Sequence, residues 1–139
     1  MLPRDHALCC KVVLQAQDFE GERFISLADG DPYRAAIDQM FASASVKRQT
    51  WLETASAVAV CAMVRQGLGV AIVNPLTALE LAGPDLLVRG LSVPIAFRVS
   101  LLLPAVAASH PLRDALTDAL VTTAQNMEAT LVKTLTNSK

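Results

Sequence analysis

ETASAVAVCAMVRQGLGVAIVNPLTAL, residues 53–79, decides the fold, because it predicts a buried helix that leads through a glycine corner into a buried strand. The helix, over residues 57–66, is apolar nearly all round, which indicates that other elements enclose it. Gly67 suits the left-handed residue that ends a helix. The run 70–73 is typical of a parallel strand buried on both faces, and Pro75 ends it because proline cannot donate to a ladder. This order predicts an α/β fold.

Strand and helix patterns alternate along the rest of the chain as well. Asp31 suits the N-cap, and Pro32 the first turn, of an amphipathic helix over residues 32–44. Residues 95–103 alternate apolar and polar side chains, so they predict the strongest strand. The other predicted elements are an extended segment over 6–14, a turn over 15–22, strands over 24–27, 49–53 and 86–89, a helix over 75–81 and a final helix over 110–131.

Composition limits the classes of protein to which the chain can belong. Its 139 residues predict one compact domain that is large enough to bury a core. With 53% hydrophobic residues, the chain has either strands that are buried on both faces or an apolar surface that a partner covers. No apolar run reaches the roughly 18 residues that span a bilayer, and no signal peptide opens the chain, which predicts a cytoplasmic protein without membrane contact. A net charge of −1 argues against a nucleic-acid-binding surface on these residues.

Motifs of common enzymes and cofactor sites are absent from the sequence. It contains no GxGxxG, P-loop, GxSxG or HExxH, so neither a cofactor nor an enzymatic activity is predicted. Its three cysteines lack CxxC spacing, which argues against a disulfide framework and a metal site. Cys61 lies among apolar residues and predicts core packing rather than a nucleophile. His6 and His110 stand near segment ends, where capping or surface roles are expected.

The turn formed by Thr54, Ala55 and Ser56 is the candidate for binding. Exposed N–H groups at a helix start, with hydroxyls beside them, bind anions and carboxylates, and in an open α/β sheet such a turn lies at the carboxyl end of a strand. Simple N-capping accounts for these residues equally well, so both interpretations stay open here. The preceding Glu53 is expected to be a solvated or structural carboxylate, because no partner carboxylate for acid–base chemistry stands near it.

Several pieces of the chain resemble, in order, a known family. They are LPRDHALCC (2–10), DFEGERFISL (18–27), DPYRAAIDQMF (31–41), residues 53–79 and FRVSLLLP (97–104). Through them the chain resembles the carboxyl-terminal part of the effector-binding domain of LysR-type transcriptional regulators. Residues 56–79 are most similar to the branch with the lysine-biosynthesis activator and the opine-responsive regulators. The GLGV corner alone is shared too widely to identify a family, whereas the ordered set is specific.

The resemblance implies a fold like that of type 2 periplasmic binding proteins, with two α/β subdomains, two crossing strands and an effector cleft between them. By this analogy residues 24–94 form the second subdomain, and residues 1–23 and 95–139 supply hinge strands and part of the first, including a strand and the last helix. Ala55 would contribute only its backbone N–H. The implied ligand contacts are Ser26, Thr54, Ala55, Ser56 and Asn74.

The resemblance also implies a function without catalysis. A small effector, an amino acid or a derivative of one, would bind and change the geometry of a dimer or higher oligomer. The family's helix-turn-helix would precede Met1, so DNA contact is expected only through a domain outside this sequence. An incomplete first subdomain would leave apolar surface uncovered and favour self-association. A second class of function, a truncated protein-interaction or dimerisation module that binds no ligand, stays open.

Overall fold

The computed structural model describes residues 1–103 and 110–137. They divide into two compact units, Met1–Phe97 and Arg98–Asn137, each of which is considered by itself. The first unit contains strands β1 (Leu2–Pro3), β2 (Val13–Leu14), β3 (Arg23–Leu27), β4 (Gln49–Thr54), β5 (Leu86–Leu87) and β6 (Gly90–Leu91), helices α1 (Pro32–Ser43), α2 (Ala57–Arg65) and α3 (Pro75–Leu81), and 3₁₀ helices over Ala7–Cys10 and Ala16–Phe19. The second unit contains helix α4 (Pro111–Asn137).

A parallel sheet centred on β3 organises the first unit. β3 pairs in parallel with β4, and α1 connects the two. On the opposite side of β3, Val70 forms a parallel bridge with Phe24, in which the Ile25 N–H donates to the Val70 carbonyl at 2.8 Å. Two short pairs complete the described strands: β1 is antiparallel to β5, and β2 is parallel to β6. The chain order β3, α1, β4, α2 and residue 70 therefore places β3 between the two elements that pair with it.

Side chains that alternate along the sheet separate two hydrophobic clusters. Ile25 and Leu27 pack in one cluster with Val60, Cys61 and Val64 of α2. The other cluster combines residues from β3, α1 and the 3₁₀ helices, with the rings of Phe19, Phe24 and Phe41 edge to face at 5.6 to 5.9 Å. Residues 70–73 alternate in the same way, since Val70 and Ile72 belong to the second cluster and Ala71 and Val73 to the first. The prediction that this run is buried on both faces is confirmed.

The predicted helices correspond closely to the structure because capping residues mark their starts. Asp31 caps α1 with its carboxylate, which accepts from the Tyr33 N–H at 2.7 Å, and Pro32 is the first helical residue. The predicted range 75–81 coincides with α3. Gly67 follows the end of α2 with a φ of +74°, as predicted.

Three strand predictions differ most from the structure, and the strand predicted over 86–89 is limited to Leu86–Leu87. Residues 6–14 are not extended throughout, because His6 caps a 3₁₀ helix by accepting from the Leu8 N–H at 3.2 Å, and only Val13 and Leu14 enter a strand. Residues 70–73 pair through a single bridge rather than a full ladder. Residues 95–103 form no strand, and among the described residues no strand pairs with them.

The final helix begins near the predicted residue and extends past the predicted end at residue 131. Pro111 is its first helical residue. Its leading apolar residues are exposed, with Leu112 at 75%, Leu116 at 60% and Leu120 at 47%. Among the described residues, no helix is both long and apolar enough to cross a bilayer.

Candidate functional site

The ends of three neighbouring extended segments define the site, which we term the carboxyl edge: the ends of β3, β4 and the run 70–73. Leu27 stands opposite Thr54 in the ladder, and the Ala28 N–H donates to the Thr54 carbonyl at 2.9 Å. Asn74 follows directly after the run 70–73. Parallel strands end on the same side of a sheet, which is where open α/β folds bind ligands.

The predicted binding turn lies at this edge and starts α2. The Ser56 hydroxyl accepts from the Ala59 N–H at 3.3 Å, and the Ser56 N–H donates to the Thr54 hydroxyl at 3.4 Å. Ser56 is therefore an N-cap, as one of the two interpretations predicted. Thr54 is half-buried, whereas Ala55 and Ser56 are exposed, so the turn is accessible from solvent. A ligand contact at these residues stays a prediction.

The other two predicted contacts occupy different positions relative to the edge. Asn74 is half-buried and caps α3, with its side-chain oxygen accepting from the Thr77 N–H at 2.9 Å and its amide nitrogen donating to the Thr77 hydroxyl at 3.0 Å. Ser26 lies inside the sheet opposite Glu53 and is only 1% exposed. Ser26 is therefore buried within the sheet, whereas Asn74 lies at the carboxyl edge itself.

Arg34 is a residue of the carboxyl edge that the sequence analysis missed. Its terminal nitrogen Nη1 donates to the Leu27 carbonyl at 2.5 Å and to Oε1 of Glu53 at 2.9 Å. Its Nε donates to Asp38, one turn along α1, at 3.0 Å. Arg34 and Asp38 are four residues apart on a predicted helix, so their ion pair could have been predicted from the sequence. Glu53 is 19 residues from Arg34, and no local pattern predicts that contact. Glu53 is therefore a structural carboxylate.

Charges around Arg34 balance one another. Burial opposes the guanidinium charge, but the carboxylates of Glu53 and Asp38 together raise the pKa of Arg34 above its ordinary value. Asp38 also pairs with Arg48. The Arg48 guanidinium lies over the rings of Phe24 and Phe41, at 5.1 and 5.3 Å. Since the two arginines and two carboxylates neutralise each other, an anion at the turn would depend on N–H groups and hydroxyls.

Groups that could support other chemistry have structural roles. Cys61 is fully buried, and this burial raises the pKa of its thiol, which disfavours the nucleophilic thiolate. His6 has the capping role that was predicted, and its Nε2 faces Glu22 at 3.2 Å. No group of His, Cys, Asp and Glu side chains suited to a metal ion occurs among the residues that the structure describes.

A groove of about 550 Å³ lies elsewhere on the first unit. Its lining includes Gln17, Gln39, Met40 and Ile95, and none of the predicted ligand contacts. This groove is therefore separate from the predicted ligand contacts.

Comparisons with known proteins agree on one family. Residues 1–125 match the family described as the LysR substrate binding domain. Over 104 residues, 75% of this chain, the sequence is 50% identical to the transcriptional activator protein LysR of Escherichia coli (strain K12), of which the match covers 33%. Over 104 residues it is 31% identical to the regulatory protein NocR of Agrobacterium tumefaciens (strain T37), covering 75% of this chain and 35% of NocR. The chain thus spans about a third of the length of these curated relatives.

Solved structures show the same fold. The regulatory domain of CcmR from Synechocystis PCC6803, in complex with 2-PG, superposes with a TM-score of 0.60 and 23% identity, over 66% of this chain and 44% of that one. HinK, a LysR family regulator from Pseudomonas aeruginosa, superposes with a TM-score of 0.55 and 23% identity, over 68% of this chain and 33% of that one. The predicted α/β fold of the type 2 periplasmic-binding-protein kind is confirmed.

Proposed function

Since the chain belongs to the LysR substrate-binding-domain family, we propose that its carboxyl edge is one wall of the cleft in which a transcriptional regulator binds its effector. The observation that carries the proposal is the convergence of strand ends. The turn of Thr54, Ala55 and Ser56, together with Asn74, brings hydroxyls, an amide and exposed N–H groups to one side of the sheet. The role is binding rather than catalysis.

The proposed ligand is an amino acid or a derivative of one, held by its carboxylate at the start of α2. Exposed N–H groups and the positive end of the helix dipole favour a negative group there, and no unpaired side-chain charge is needed. Ser56 and Thr54 would add hydroxyl donors. Similarity to the E. coli activator LysR supports this branch of the family, and the complex of CcmR with 2-PG supports a small ligand for this fold.

The proposed output is a change in the arrangement of subunits. In a complete regulator the opposite wall belongs to the first subdomain, so a ligand that contacts both walls favours one relative orientation of the two. The arrangement of subunits in the oligomer would then differ between the free and the ligand-bound states. This difference would change how the DNA-binding domains are presented to DNA.

A thermal-shift screen of amino acids and diamino acids, run on this chain and on a complete effector-binding domain, tests the proposal. A true ligand at about 100 times its Kd raises the free energy of unfolding by about 2.7 kcal/mol. Thr54→Val keeps the shape of the side chain and removes its hydroxyl, so it should weaken binding. Thr122→Val, a matched change at an exposed position of α4, should not. Silence of both proteins in the whole screen would exclude this ligand class.

A further inference from the structure

We propose that Arg34 is the positioning residue of the effector wall: it ties the carboxyl ends of β3 and β4 together and thereby fixes the turn of Thr54, Ala55 and Ser56. This inference rests on the proposed function of that turn. Arg34 does not contact the ligand in this proposal. It sets the geometry of the groups that do.

The position of the guanidinium supports this role. A single nitrogen, Nη1, donates both to the carbonyl of Leu27, the last residue of β3, and to the carboxylate of Glu53. Glu53 is the residue of β4 directly before Thr54. The side chain therefore spans two adjacent strand ends immediately ahead of the turn, at the place where the ladder stops and strands open most easily.

One backbone hydrogen bond depends on this arrangement. The Ala28 N–H donates to the Thr54 carbonyl at 2.9 Å and joins the two chains just beyond the strand ends. When this bond opens, Thr54 and the residues after it lose their fixed relation to β3. Arg34 donates hydrogen bonds to Leu27, which precedes the donor Ala28, and to Glu53, which precedes the acceptor Thr54. It therefore holds both partners of this backbone bond in place.

Arg34 is itself anchored on its other sides. Its backbone N–H donates to the N-cap Asp31 at 3.1 Å, and its side chain is only 13% exposed. Asp38 holds Nε, and Arg48 in turn holds Asp38 while its guanidinium lies over two buried aromatic rings. Arginine suits this task because its planar group donates in several fixed directions at once, which lysine cannot do.

Amide hydrogen exchange in the free protein tests the role. Arg34→Met keeps much of the aliphatic stem and removes the guanidinium, so the Ala28 amide should exchange about tenfold faster, as expected for a lost charge-assisted hydrogen bond. The Ile25 amide, which donates to Val70 on the other side of the same strand, should keep its rate. Arg34→Lys should give an intermediate rate at Ala28.

Asp38→Asn is the matched control, because it removes a charge from the same network, keeps a side-chain oxygen that can accept from Nε of Arg34, and changes neither Leu27 nor Glu53. Its Ala28 exchange should stay within about twofold of the parent rate. Equal acceleration of Ala28 and Ile25 in Arg34→Met would show a general stabilising role and overturn the proposal, as would unchanged exchange at Ala28. No ligand is present in this experiment, so failure of the effector screen and failure of the positioning role give separate results.

Discussion

At the scale of residues, two glycines of the corner after α2 are required for different reasons. Gly67 has a φ of +74° and open space around it, so alanine there costs about 1 kcal/mol of backbone strain. A Cβ on Gly69 would lie 2.2 Å from the carbonyl oxygen of Arg23, which accepts from the Val70 N–H. The strand backbone cannot yield as a side chain would, and we expect Gly69→Ala to lower the free energy of unfolding by about 3 kcal/mol. Urea denaturation monitored by Trp51 fluorescence compares the unfolding free energies of the Gly67→Ala and Gly69→Ala variants. An equal decrease in both would contradict the steric explanation for Gly69.

Cysteine reactivity is a second property of single residues. Cys61 is buried and its pKa is raised by burial, whereas Cys10 is exposed. We expect iodoacetamide to modify Cys10 faster than Cys61 by on the order of a hundredfold, because Cys61 reacts only when the core opens. Mass spectrometry of timed samples measures the two rates, and labelling in urea should bring them together. Rapid labelling of Cys61 in the folded protein would instead indicate an activated thiol and reopen an enzymatic role.

At the scale of elements, the sequence predicts what is local and misses what needs a partner. Helices α1 and α3 were predicted closely because Asp31–Pro32 and Asn74–Pro75 mark their starts within a few residues. The strand expected over residues 95–103 is absent. Alternating apolar and polar side chains are a property of one segment, whereas a strand also requires a neighbouring strand with which to form hydrogen bonds. In the candidate site, the turn after β4 was predicted from helix-start chemistry. Arg34 was not, because its bond to Glu53 joins residues of α1 and β4 that only the folded chain brings together.

The start of α1 gives a prediction for an element. Oδ1 of Asp31 accepts from the Tyr33 and Arg34 N–H groups at 2.7 and 3.1 Å. Asp31→Ala should therefore lower the free energy of unfolding by about 1 kcal/mol, while Asp31→Asn, which keeps an acceptor, should lose less than half of that. Asp29→Ala is the control, since Asp29 is exposed and its carboxylate accepts from the N–H of the next residue, Gly30. Urea titration followed by circular dichroism measures all three, and a neutral Asp31→Ala would contradict the capping role.

At the scale of the whole molecule, the carboxyl edge is the part of the proposed effector cleft that the described residues provide. The chain matches about a third of each curated relative, and on our proposal the opposite wall would belong to the first subdomain of a complete regulator. The carboxyl edge combines β3, β4 and the run 70–73, and the sequence predicted the order of these segments along the chain. On this proposal the identity of the effector depends on both walls, so one wall does not predict it.

Self-association is the property of the whole molecule that we expect to be measurable first. Leu112, Leu116 and Leu120 form an exposed apolar row on one side of α4, and such rows favour burial against another chain. Light scattering over a range of concentrations should give masses that rise above the 14.8 kDa of one chain. A double change of Leu116→Gln and Leu120→Gln should weaken the association about tenfold or more. Gln125→Ala, an exposed position opposite Leu116 at 100° per residue, should leave it unchanged. A mass of one chain at every concentration would contradict the expectation. Stable association without any ligand response would favour the interaction module over the effector sensor.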